Sequence, residues 1–100
     1  MFVSVVLDPD GVDTAESLAS VLQHYGFKKI QRAVWESVDI GVMQLSHLKR
    51  EIDRVTNYYD TVRMYQYPVK GMFFITELHQ KKWRRTVLKP DESERGDITQ

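Results

Sequence analysis

The chain opens on Phe2-Val3-Ser4-Val5-Val6-Leu7, an apolar run that ends abruptly at Asp8-Pro9-Asp10-Gly11. Valine dominates the run, so a buried strand is expected there. Proline has no N–H to give to a sheet ladder and glycine tolerates left-handed angles, so Pro9 and Gly11 stop the strand. Asp8 and Asp10 are therefore expected at the mouth of a buried strand, where water enters and a divalent metal would find carboxylate oxygens. The same four residues are also good turn chemistry, with Asp8 capping the turn and Asp10 solvated.

At 100 residues the chain is expected to form one domain over 1–90, small enough that an oligomer interface would add usefully to its stability. It has no cysteine, which removes disulfides, thiol nucleophiles and zinc-thiolate centres and fits a reducing cytoplasm. No apolar run approaches the roughly 20 residues of a membrane span, and the start lacks the basic leader of a signal peptide. A cytoplasmic protein without membrane contact is the expectation. The formal net charge of zero hides an asymmetry, because Asp91 to Gln100 carries four acids and one base and reads as a disordered acidic tail. The rest of the chain holds thirteen bases against ten acids, and Lys81-Lys82-Trp83-Arg84-Arg85 packs four of those bases around one aromatic ring. Local charge of this kind attracts phosphate.

Past the first strand, Asp13 with Glu16 three residues later predicts a helix cap, and Ala15, Leu18, Ala19, Leu22 and Tyr25 repeat at helical spacing up to Gly26. Phe27 to Ile30 and Ala33 to Val38 read as a short hairpin or one bent strand, with the hairpin favoured. A second helix is predicted over 42–55 from the stripe Val42, Leu45, Leu48, Ile52 and Val55, with Lys49, Arg50, Glu51 and Asp53 on its wet face and Asn57 ending it. Thr61 to Tyr67 alternates as a strand before Pro68, and Met72 to Leu78 and Trp83 to Leu88 form a further strand pair. The order βαββαβ with appended strands is that of a ferredoxin-like α+β sandwich. Both helices then lie on one sheet face, and a second copy of the sheet would cover the other.

Mg²⁺ takes oxygen ligands, keeps several waters and needs only one or two carboxylates plus a substrate phosphate. Asp8 and Asp10 supply that minimum, and a two-fold axis at the strand end would bring Asp8 of each copy to one metal. The basic cluster has two readings. An edge strand carries Lys and Arg to prevent aggregation, or Trp83 stacks on a base while Lys81, Lys82, Arg84 and Arg85 neutralise phosphates, helped by Lys28, Lys29 and Arg32. His24, His47 and His79 have no metal-ligand spacing. Ser4, Ser17, Ser37 and Ser46 lack a nucleophile-elbow context, and no phosphate-binding glycine loop is present. The pairs Tyr58-Tyr59 and Phe73-Phe74 read as core or interface.

The stretch Tyr25-Gly26-Phe27-Lys28-Lys29-Ile30-Gln31-Arg32-Ala33-Val34-Trp35-Glu36-Ser37 resembles the YG-x-x-x-x-Q-x-S-V-F-E-G segment of the small CRISPR-associated Cas-two nuclease family. That family likewise starts with an apolar strand ending in an aspartate, matched by Asp8, and has a D-x-V-R-x-Y strand, matched by Asp60-Thr61-Val62-Arg63-Met64-Tyr65. The resemblance spans roughly Met1 to Tyr67. Ala33, Trp35 and Ser37 stand where the family commonly has serine, phenylalanine and glycine, and Leu7 where it often has tyrosine.

The resemblance implies a ferredoxin-like homodimer acting in CRISPR adaptation. It implies a Mg²⁺-dependent endonuclease of RNA or double-stranded DNA with Asp8 as the metal-binding aspartate. It equally implies a bridge between copies of the Cas-one integrase that holds spacer DNA on basic surfaces without cutting it. A noncatalytic nucleic-acid scaffold is therefore the alternative, and a ribonuclease toxin resembling virulence-associated protein D is a third reading.

Overall fold

The computed structural model describes residues 1–89; Pro90, at the end of the expected domain, and the acidic tail lie outside the described residues. The elements run β1 (Phe2–Asp8), α1 (Val12–His24), β2 (Lys28–Gln31), β3 (Val34–Ser37), α2 (Val42–Val55), β4 (Thr61–Val69), β5 (Met72–His79) and β6 (Lys82–Leu88). They form one six-stranded sheet in the order β2-β3-β1-β4-β5-β6, in which every neighbouring pair is antiparallel. Its first four members are the split βαβ arrangement expected of a ferredoxin-like fold, and β5 and β6 extend it beyond β4.

Alternation decides the layering. Val3, Val5 and Leu7 on β1 and Val62 and Met64 on β4 are buried, and they join Leu18 and Leu22 of α1 and Leu45, Leu48 and Ile52 of α2 in one core. The opposite sheet face carries Phe2, Val6, Val34, Tyr65 and Ile75, all only half-buried, with Tyr67 and Leu88 exposed. Removing an aliphatic or aromatic side chain from water stabilises by about 1.5–3 kcal/mol, so the helix-covered face holds the fold together. The other face leaves part of that free energy unused.

The helix ends differ in detail from the sequence expectation. Gly11, in extended conformation, is the N-cap of α1 and Asp13 lies within the first turn, where its charge favours the helix dipole without a capping hydrogen bond. For α2, Gly41 N–H donates to Gln44 Oε1 at 3.1 Å. Its C-cap is Thr56 and not Asn57; the Thr56 hydroxyl donates to Ile52 O at 2.8 Å. β4 runs through Pro68 with a register shift between Gln66 and Val69. A proline is tolerated at such a bulge because no ladder N–H is required there.

The favoured hairpin is present, since β2 and β3 are joined by Arg32 and Ala33. Two-residue turns also join the last three strands, with Lys70-Gly71 and Gln80-Lys81 all at positive φ. Both turns have the handedness that matches strand twist. Tyr58 and Tyr59 are exposed and not core, packed edge-to-face at 5.4 Å. No helix of the described residues is long and apolar enough to cross a membrane.

Candidate functional site

Asp8 is the last residue of β1, exposed, and paired in register with Thr61 of β4, which in turn pairs with His79 of β5. Thr61 Oγ1 and His79 Nδ1 are 3.1 Å apart. Strand alternation puts Asp8, Thr61 and His79 in one row on the helix-free face. Asp10 is exposed in the following loop. Among the described residues no group of three or more His, Cys, Asp or Glu side chains is placed to hold a metal. The carboxylate chemistry at Asp8 suits Mg²⁺, and one chain supplies only part of a ligand set there.

A third aspartate, the one that opens the D-x-V-R-x-Y match, determines how that mouth is built. Asp60 is fully buried. Its Oδ1 accepts the Asp10 N–H at 2.7 Å and its Oδ2 accepts the Asn57 N–H at 2.7 Å. One carboxylate thus staples the β1–α1 loop to the α2–β4 turn, and the turn is tightened further by Tyr59 N–H donating to Asn57 Oδ1 at 2.8 Å. Charge-assisted bonds of this kind satisfy the buried anion and fix the backbone around Asp8-Pro9-Asp10. A signal did exist: an acid directly before a strand and after an Asn-Tyr-Tyr turn is positioned to accept backbone N–H groups.

The basic residues do not form one patch. Lys28 and Lys29 lie on β2 and Arg32 in the turn after it, at one edge of the sheet, whereas Lys82 to Arg85 lie on β6 at the other edge. Five strand spacings separate the edges, roughly 24 Å. Within the second cluster, alternation divides the side chains. Trp83 and Arg85 pair with Leu78 and Thr76 and share their helix-facing side; Lys82 and Arg84 pair with His79 and Glu77 and share the opposite side.

Lys81 is committed elsewhere. Its ammonium lies 2.9 Å from Asp53 Oδ1 and donates to Thr56 O at 3.3 Å, so it closes the C-terminal end of α2. Trp83 packs against the core from the same side.

Between α2 and the outer strands lies a cavity of about 460 Å³ lined by Ser46, Lys49, Arg50, Asp53, Thr76, Trp83, Arg84 and Arg85. Lys49, expected on the wet face of the helix, is half-buried here. Burial lowers the pKa of its ammonium from the ordinary lysine value, and the Arg85 guanidinium lowers it further. Arg85 itself lies over the Phe74 ring, 5.2 Å from its centroid.

No curated protein and no solved structure matches this chain. A family model does: that of CRISPR associated protein Cas2 matches residues 1–85, from the first strand through Arg85 of β6. The match takes in β5 and most of β6, so the strands that carry the basic cluster fall within the family's extent. The chain belongs to the CRISPR associated protein Cas2 family.

Proposed function

We propose that this chain acts in CRISPR adaptation as a homodimeric, Mg²⁺-dependent phosphodiesterase on RNA or duplex DNA. Membership of the family is the observation that carries this reading. The exposed carboxylate of Asp8 at a strand end braced by Asp60 supports it chemically. The half-covered apolar face of Phe2, Val6, Val34, Tyr65 and Ile75 supports a second copy packing sheet against sheet. In that dimer Asp8 of each copy would hold the metal, with Asp10 beside it in the loop.

The chemistry that Mg²⁺ supplies when bound is neutralisation of phosphate charge and acidification of a water molecule. The chain's own residues do the rest. Asp60 fixes the loop so that Asp8 keeps its position while substrate charge changes. Lys28, Lys29 and Arg32 on one edge, and Lys82 and Arg84 on the other, would hold backbone phosphates at two separated places, which suits a duplex lying across the assembly.

Asp8→Ala should abolish Mg²⁺-dependent cleavage with folding intact. Wild-type protein that cuts neither RNA nor duplex DNA across a Mg²⁺ and pH series, or an Asp8→Ala protein that cuts as well as wild type, removes the catalytic assignment.

The second reading is an architectural dimer that carries spacer DNA and bridges the Cas-one integrase without turnover. The separation of the two basic segments to opposite sheet edges favours it. It predicts duplex binding that falls steeply with salt, persists in EDTA and survives Asp8→Ala.

A further inference from the structure

The cavity between α2 and β6 has a charge balance unlike the rest of the surface. Three of its lining residues, Lys49, Arg50 and Arg85, are cations on the helix side and one, Asp53, is an anion; Arg84 also borders it from β6, although its side chain alternates to the other face. Asp53 is already paired with Lys81. Among the described residues none of the four cations has a carboxylate within ion-pair distance. Like charges gathered around the half-buried Lys49 repel, and an anion entering between them relieves that repulsion while gaining charge-assisted hydrogen bonds.

The cavity is also amphipathic in a particular way. Trp83 gives it an aromatic surface anchored in the core, and Ser46 and Thr76 add hydroxyls. A smaller cavity of about 180 Å³ adjoins it, sharing Ser46, Lys49 and Arg85 and otherwise lined largely by Met1, Val42, Leu45 and Phe74. Lys49 therefore has apolar matter on one side and the basic chamber on the other, which explains its partial desolvation. A volume near 460 Å³ is within the usual range for a small-molecule site. It is too confined for a duplex.

We infer that this cavity binds a nucleoside phosphate, with the phosphate held between Lys49, Arg50 and Arg85 and the base against Trp83. Asp53, on the same wall, accepts a hydrogen bond from a ribose hydroxyl or a base amino group. A free nucleotide and the phosphorylated end of a nucleic-acid strand present the same chemistry to these residues. The site is on the helix side of the sheet and away from Asp8, so it functions whether or not the protein cleaves nucleic acid.

Titration of the intact protein with adenosine 5′-monophosphate, followed by calorimetry and by ¹H–¹⁵N NMR, tests this. The expected result is saturable binding that shifts the Trp83 indole N–H and the Lys49 amide. Adenosine and inorganic phosphate should each bind at least about tenfold more weakly, since each satisfies only one half of the site. Lys49→Met and Arg85→Met should each weaken the nucleotide about tenfold; Trp83→Leu should weaken the nucleotide and leave inorganic phosphate unchanged.

A 5′-phosphorylated oligonucleotide that binds more tightly than its 5′-hydroxyl counterpart and than the mononucleotide identifies a strand end as the source; equal or weaker binding identifies the free nucleotide. Absence of saturation at millimolar nucleotide and low salt, or resonance shifts confined to other parts of the protein, overturns the assignment. The wild-type NMR result stands even if a variant fails to fold. Duplex binding and Asp8-dependent cleavage are read separately, so loss of one reading leaves the other intact.

Discussion

Two charged side chains grip the C-terminal end of α2, and they do so under opposite conditions. Asp60 is an anion with no exposure at all, and it accepts N–H groups from Asn57 and Asp10. Lys81 is a cation whose side chain remains 38% exposed, and it takes the Thr56 carbonyl together with the Asp53 carboxylate. The first clamp builds the mouth at Asp8 and the second ties the β5–β6 hairpin down beside the basic cavity. Equal chemistry at the two places does not mean equal energy. Burial makes an unpartnered group expensive, whereas water replaces a lost partner at the surface.

The largest expected effect tests that contrast directly. Asp60→Ala removes the buried carboxylate that accepts two part-buried backbone N–H groups and leaves a cavity in its place, and should destabilise the fold by roughly 2 kcal/mol or more, measured by urea denaturation. Asp60→Asn should recover part of the loss, because its side-chain oxygen still accepts one bond. If Asp60→Ala costs no more than a surface substitution, the mouth is not held by this carboxylate.

Lys81→Met should cost about 1 kcal/mol or less, the range of an exposed ion pair and a helix-end charge. Its effect should shrink in high salt, unlike that of Asp60→Ala. A salt-independent loss as large as that of Asp60→Ala would abolish the distinction between the clamps.

Lys49→Met runs the other way. It keeps the apolar stem and removes a half-buried charge next to Arg85, so stability should rise by up to ~0.5 kcal/mol once solvent screening is allowed for. Because the folded-state pKa of Lys49 lies below the ordinary value of 10.5, its destabilising contribution is complete below the folded pKa. It disappears as the pH rises from there toward 10.5. Thermal melts at neutral and alkaline pH should therefore show the gap between Lys49→Met and wild type closing as pH rises. A gap that widens refutes the desolvation account.

The smallest expected change in stability is that of Asp8→Ala, within about 0.5 kcal/mol, since the side chain is exposed and no side-chain hydrogen bond of Asp8 exists among the described residues. A large loss would make Asp8 part of the scaffold and not a group free to meet a metal.

The sequence was readable where a single face decides the structure. Leu45, Leu48, Ile52 and Val55 form the core face of α2 as expected, Val42 starts the helix but is exposed and not part of that face, and Asp8-Pro9 marks the end of β1. The sequence misleads where a distant element changes the surroundings. Lys49 belongs on a wet face if the sheet stops at β4; β5 and β6 continue the sheet alongside α2 and give Lys49 a second wall. Asp60 is legible as the first residue of a strand motif and not as a staple, because its second partner, Asp10, is fifty positions away. The basic run from Lys81 to Arg85 looked like one patch in the sequence, yet alternation and the α2 terminus assign its members to three different places.

The two tight turns at Lys70-Gly71 and Gln80-Lys81 also govern the order in which the sheet can assemble. β4, β5 and β6 are neighbours both along the chain and in the sheet, so they close with little loop entropy. The central strand β1 cannot be paired on its second edge until β4, beginning at Thr61, has been synthesised. Asp8, near the start of the chain, is thus completed late. A nascent chain halted before β4 leaves an apolar strand with an open edge, a species inclined to pair with another copy of itself before it can reach its own partner.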